Sequence, residues 1–176
     1  MDHADHVDLL RGGVAREPGT WADLGAGAGA FTLALGDLLP PGSVIYAVDK
    51  DRGALAELEA SSPRGGARIE PRRGDFTKEL GLPPLDGIVM ANSLHFVKDK
   101  APVLARVRAM LRPGAPLLLV EYDADRGNPW VPYPFSFETW RELAVASGFA
   151  EPRLLATRPS RFLRRIYSAA TATGRS

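Results

Sequence analysis

The chain contains no cysteine, which excludes disulfide staples, zinc–thiolate centres and thiolate nucleophiles together. No apolar run approaches the roughly 20 residues that span a bilayer. The start, MDHADHVDLL, lacks the basic-then-apolar pattern of a secretory leader, so a cytoplasmic, reducing compartment is expected. Net charge is also scarce: 22 Lys and Arg against 21 Asp and Glu leave a formal +1. That gives no general attraction to nucleic acid or acidic membranes. Internal repeats and low-complexity tracts are absent. What remains, 176 residues of which 45% are hydrophobic and 24% charged, suits one domain with one core.

The pattern along the chain alternates strand with helix. Residues 1–17 give one short helix with a modest apolar stripe, read as a lid or packing arm. A short strand then runs into Asp23, glycines follow at 25, 27 and 29, and a helix starts at Ala30 and stops at Pro40-Pro41-Gly42. SVIYAVD reads as a buried strand ending in Asp49, and Asp51 sits where an N-cap belongs for a helix that runs to Ser61, Ser62 and Pro63. ARIEP is a weaker strand. LDGIVMANS is the clearest central strand, a helix covers about 100–111, and LLLVEYD is another apolar strand. Residues 124–136 are too rich in Pro and aromatics for regular structure and read as a substrate-facing loop. FETWRELAVASGF is an amphipathic helix. PRLLATRP and RFLRRIYSAAT are two last strands whose short link requires an antiparallel pair. This alternation argues for a parallel sheet covered on both faces, with ligands outside the carboxyl ends of the strands.

The turn WADLGAGAGAFT lets a ligand lie against backbone at a helix start. Gly25-x-Gly27-x-x-Ala30 also satisfies a dinucleotide fingerprint, with Asp49 near the distance for a ribose contact. Asp23 separates the readings, because a carboxylate beside a pyrophosphate is repelled, whereas one beside an ammonium or sulfonium is favourable. Asp49, Asp75, Glu121 and Asp123 are expected at or near strand carboxyl ends too, as an acidic rim suited to a cationic cofactor.

On these residues the chain resembles the class I S-adenosylmethionine-dependent methyltransferases over about residues 18–170. DLGAGAG is similar to that family's first motif, VDKD to the acidic end of its second strand, GDF to its adenine-contacting acid, and DGIVMANSLHFV to its fourth motif. LRPGAPLLLVEYD resembles its RPGG-then-strand segment, with Ala115 for the second glycine. Among subgroups the small-molecule, UbiE-like type is the most similar. The resemblance implies an α/β, Rossmann-like, doubly wound three-layer fold: a seven-stranded sheet of order 3-2-1-4-5-7-6 with strand 7 antiparallel. It is taken as a single methyltransferase domain over 1–176, with an arm (1–17), a core (18–170) and a tail (171–176).

The resemblance also implies S-adenosylmethionine as cofactor, S-adenosylhomocysteine as product and no metal. Gly25, Ala26, Gly27 and Gly29 form the cofactor turn. Asp23 approaches the methionine amino group, with helix capping as the alternative. Asp49 takes the ribose hydroxyls, flanked by Lys50. Asp75 accepts from the adenine amino group and Phe76 stacks near the ring. Asn92 lies beneath the sulfonium, or satisfies loop backbone. His95 and Asp123 are candidate bases, His95 with packing as its alternative. His95, Glu121, Tyr122, Trp130 and Tyr133 are candidate acceptor contacts. Phe135 is grouped with the two loop aromatics, whose alternative is to anchor the loop to the sheet. Arg158, Arg161, Arg164 and Arg165 read as the wet side of late strands. The acceptor is expected to be a small molecule rather than nucleic acid or membrane; with no inserted domain, an open site or a homodimer is expected. The NPPY/F motif of enzymes that methylate planar nitrogens is absent. The alternatives are a nicotinamide-dependent reductase and a non-catalytic S-adenosylmethionine-binding scaffold.

Overall fold

The computed structural model describes residues 1–61 and 65–174. It contains β1 (Thr20–Leu24), β2 (Val44–Asp49), β3 (Arg68–Arg73), β4 (Gly87–Ala91), β5 (Pro116–Tyr122), β6 (Arg153–Pro159) and β7 (Arg165–Ala172), with five α-helices between and before them. The strands form one sheet of order β3-β2-β1-β4-β5-β7-β6. The pairs from β3 to β5 are parallel and β7 is antiparallel to both neighbours, so the expected topology holds.

The central strands are buried on both faces, which is why β4 and β5 read as unbroken apolar runs. On one face, Trp21, Ile45, Val89, Leu118 and Val120 pack against α1 (His3–Arg11) and α2 (Ala30–Leu38). On the other, Leu24, Ile88, Met90, Leu117 and Leu119 pack against α4 (Ala101–Met110) and α5 (Phe137–Ala146). α3 (Arg52–Ala60) lies over β2 and β3. Asp51 does cap it, accepting from the Gly53 and Ala54 amides, and Ser61 closes it. The Ser62-Pro63 stop lies outside the described residues, as do the last two residues of the expected tail. Among the described residues no helix is long and apolar enough to cross a membrane.

The N-terminal segment is a docked helix. Asp2 and Asp5 form a reciprocal capping box. Leu9 and Leu10 are fully buried, worth about 1.5–3 kcal/mol each. From β6, Arg158 reaches Asp5 at 3.1 Å and Asp8 at 2.9 Å, and Arg153 donates to the Gly12 carbonyl. Arg158 is therefore a clasp for α1. Arg161 and Arg164 also depart from expectation. β7 begins only at Arg165 and runs on to Ala172, while residues 160–164 form the β6–β7 turn, closed by the Ser160 amide donating to the Arg164 carbonyl. Arg164 has φ +58°, the left-handed residue that a tight reversal needs. Because Ile166 pairs with Tyr122, this turn sits at the carboxyl end of β5, where ligands meet such sheets.

Candidate active site

The glycine turn between β1 and α2 is stitched onto the end of β2. The amides of Gly25 and Ala26 both donate to the Val48 carbonyl, at 2.8 and 3.0 Å, and the Gly27 amide donates to Asp49 Oδ2 at 2.8 Å. Asp49 Oδ1 accepts from the Asp51 amide. Each Asp49 oxygen thus holds the loop and keeps a second lone pair for a ligand. Gly25, at φ +83°, is irreplaceable on two counts: L side chains rarely adopt that conformation, and a Cβ there would lie 2.5 Å from Ser93 Cβ. Gly29 serves the fold instead. It is the left-handed N-cap of α2, and a Cβ would strike Leu58.

A cleft of about 480 Å³ opens beside this turn. Gly25, Gly27, Asp49, Lys50, Asp75, Phe76 and Asn92 line it. Seven of the ten expected cofactor contacts therefore meet in one place, while Asp23, Ala26 and Gly29 do not reach its wall. Asp75 is fixed by Thr77, whose amide and hydroxyl both donate to Oδ1; these bonds hold its carboxyl below the usual range. Thr77, Ser93, Phe96 and Val97 complete the wall and were not singled out from sequence. For Ser93, Phe96 and Val97 the signal was present in the SLHFV run, which follows an unbroken apolar strand and so had to emerge at the ligand end.

Asp23 is placed behind the turn and is 1% exposed. Its Oδ2 accepts from the Thr32 hydroxyl at 2.6 Å, whereas Oδ1 is buried with no partner. Burial pushes its carboxyl up to about 7, against the Thr32 hydrogen bond and with a further push from the charge of Asp49. On the adjacent strand, Asn92 follows β4 with φ +52°, and its Oδ1 is likewise buried and unpartnered. Two orphaned acceptors at the ends of neighbouring strands are costly, about 1–3 kcal/mol each. Asn92 lines the cleft, so a ligand N–H donor there relieves its oxygen; Asp23, behind the turn, acts on that ligand only through its field, which when ionised favours a cation over a pyrophosphate.

The β5 side differs from the expected acidic rim. Glu121 is wholly buried. Its Oε1 accepts from the Leu94 and His95 amides, and Oε2 lies 2.7 Å from His95 Nδ1. It clamps the short 3-10 helix Leu94–Phe96 and presents no carboxylate to an acceptor. Asp123 accepts from the Phe137 amide through Oδ1 and pairs with Arg165 through Oδ2, so its charge is taken up by a guanidinium. His95 is 2% exposed, packed against Phe96 and Tyr122 and behind the cleft wall. Tyr122 is mostly buried, and burial raises its phenol, with the Glu121 charge adding. Phe135 is buried against Trp140 and anchors the loop. Trp130 and Tyr133 are exposed, with the Tyr133 amide tied to the His95 carbonyl.

The chain matches the family model described as Methyltransferase domain over residues 22–117, more than half its length. It is 40% identical to acetylserotonin O-methyltransferase of Mus musculus over 105 residues, 56% of this chain and 27% of that protein. It is 33% identical to trans-aconitate 2-methyltransferase of Mycolicibacterium gilvum over 120 residues, 65% of this chain and 44% of that protein. The chain thus spans less than half the length of these relatives. Among solved structures, a SAM-dependent methyltransferase from Methanosarcina mazei superposes with TM-score 0.74 at 17% identity, covering 92% of this chain and 95% of that one. Human N-acetylserotonin methyltransferase in complex with SAM gives 0.66 at 22%, covering 88% and 47%. At these identities the structural likeness speaks for the fold.

Proposed function

The chain belongs to the methyltransferase-domain family, and from that premise we propose that it is an S-adenosylmethionine-dependent methyltransferase of the small-molecule, UbiE-like type, acting as one unit over residues 1–176. The observation that carries the cofactor assignment is the cleft wall, where the unpartnered Asn92 Oδ1 stands with the carboxylates of Asp49 and Asp75 and Asp23 is buried behind the turn. Such a site fits a cofactor with an ammonium and a sulfonium and disfavours a dinucleotide.

In this reading Asp49 offers its free lone pairs to the ribose, Asp75 accepts from the adenine amino group, and Phe76 packs near the ring. Lys50 flanks the sugar with its stem. Bound S-adenosylmethionine supplies a methyl group already activated on sulfur, so displacement asks chiefly for proximity and alignment. Where the acceptor is a hydroxyl, His95 is the proton acceptor: Glu121 holds Nδ1 and leaves Nε2 for exchange. A cytoplasmic location, resting on the missing cysteines, belongs to the same proposal, as does an acceptor side completed by loop 124–136 or a second copy. The whole protein's acceptor lies within O, N and C nucleophiles.

Thermal-shift titration tests the cofactor. S-adenosylhomocysteine is expected to raise the Tm and NADH to leave it unchanged; the reverse would sink the assignment. The burial of His95 and the commitment of Asp123 favour one second reading, a binding scaffold without acceptor chemistry. Tight S-adenosylhomocysteine binding with no transfer of labelled methyl to any component of a cell extract would establish it.

A further inference from the structure

The two sides of the ligand end differ in surface chemistry, and that difference points to an acceptor class. Around the cofactor cleft stand Asp49, Asp51 and Asp75. Across β5, Glu121 is withdrawn by burial, Asp123 by Arg165, and the exposed Asp125 is turned onto the start of α5, accepting from the Ser136 amide and the Thr139 hydroxyl. What stands in the open there is aromatic and basic. Phe96 and Phe162 are 60% and 61% exposed, and they end one row of rings, Phe96 to His95 to Tyr122 to Phe162, with centroid steps of 4.3, 5.6 and 6.4 Å. The row begins on the cleft wall and crosses the end of β5 to the β6–β7 turn. Phe162 is flanked in that turn by Arg161 and Arg164, both exposed and, among the described residues, without the acidic partner that Arg165 has.

We infer that this shelf binds the methyl acceptor, and that the acceptor is a planar aromatic molecule bearing a carboxylate. The inference rests on the methyltransferase reading and names the substrate class of that same site. The two exposed end rings, Phe96 and Phe162, offer stacking and edge contacts to another ring, and the buried His95 and Tyr122 rings between them hold the two in line. Guanidinium groups beside them match a carboxylate in bidentate geometry. The acids around the cofactor cleft repel that carboxylate, so the molecule is oriented with its anionic end at the β6–β7 turn and its ring toward Phe96. Nucleic acid would use similar contacts, but two turn arginines facing a cleft of acids neutralise too few phosphates to hold a strand.

The test titrates naphthoate, its methyl ester and cyclohexanecarboxylate into the full chain, with and without S-adenosylhomocysteine, following protein amide and arginine side-chain resonances. Naphthoate is expected to bind about tenfold more tightly than either analogue. In R161Q/R164N, where Asn tolerates the left-handed backbone at 164, the preference over the ester disappears. In Phe162→Ala the preference over the cyclohexane disappears. S-adenosylhomocysteine affinity is unchanged in both variants. Equal affinity for acid and ester, no naphthoate binding at millimolar concentration, or displacement of naphthoate by a micromolar mixed-sequence oligonucleotide overturns the inference. Failure of S-adenosylhomocysteine to bind overturns the methyltransferase reading instead, while the naphthoate titration of the chain alone still reports on the shelf.

Discussion

The carboxyl ends of two strands of the sheet carry acids that look equivalent in sequence and do opposite jobs. At the end of β2, Asp49 lines the cleft; its Oδ2 holds the glycine turn and its Oδ1 the Asp51 amide, while each keeps a lone pair open. At the end of β5, Glu121 is sealed in the core, where it binds three donors of the following segment. Position at a carboxyl end therefore does not make an acid part of a binding rim. What decides is which way the pleat turns the side chain and whether the next segment folds back over it, as the 3-10 helix does over Glu121.

The largest effect expected from breaking this contrast is at the turn. Gly25→Ala forces a side chain into φ +83° and into Ser93. It is expected to cost about 2–4 kcal/mol of stability and to abolish S-adenosylhomocysteine binding, read by denaturant unfolding and calorimetric titration. Glu121→Ala comes next. It leaves the Leu94 amide, the His95 amide and His95 Nδ1 without their acceptor in a buried site, a loss of about 2–4 kcal/mol. Its signature is a lowered unfolding midpoint with near-normal cofactor affinity. If Glu121→Ala were neutral for stability and damaging only to turnover, the structural role assigned to this acid would be wrong.

Asp23 sharpens the contrast because it combines both situations, a buried acid within the cofactor half. Its folded pKa of about 7 stands above the ordinary 3.8, so the folded chain holds a proton that the unfolded chain has released between those values. The stability conferred by the neutral form is whole below about pH 4 and is lost as pH rises through about 7. Asp23→Asn stays neutral and can still accept from Thr32. Its Tm is expected to fall less than the wild type's between pH 5 and 8, and to be the higher of the two above about 7. Affinity for S-adenosylhomocysteine, which brings an ammonium, is expected to fall about tenfold in the variant and to lose its rise with pH. A Tm profile identical to the wild type's would show that Asp23 is charged in the free protein.

The alternation of strand and helix, the glycine turn and the terminal hairpin were legible because they rest on local signals, whereas the strand order and the roles of Asp75 and Asn92 were what the family resemblance implied. Apolar runs are punctuated by Gly and Pro, and acids stand at fixed distances from strand ends. The fates of Asp23, Glu121 and Asp123 were not legible, since each depends on a partner far along the chain: Thr32 nine residues on, His95 twenty-six residues back, Arg165 forty-two residues on. Because β5 is buried on both faces, its apolar run also carries no alternation from which the direction of Glu121 could be read. Arg161 and Arg164 were placed on a strand and lie instead in the turn before it. Where β7 begins is set by the left-handed Arg164, not by the apolar alternation that extends back to Phe162.

The smallest expected effect belongs to Asp123→Asn, and its smallness is informative. The carboxylate caps the first free amide of α5 at Phe137 and pairs with Arg165, whose side chain is 58% exposed. Asn retains an acceptor for the amide, so the substitution removes only the charge. An ion pair with so exposed a partner is worth about 0–1 kcal/mol, and added salt screens it further. Stability is expected to drop by less than about 1 kcal/mol, with S-adenosylhomocysteine affinity intact and the difference from wild type shrinking in high salt. Loss of methyl transfer with stability preserved would instead make Asp123 the base, and the division between a withdrawn acidic side and an open acidic side would have to be redrawn around it.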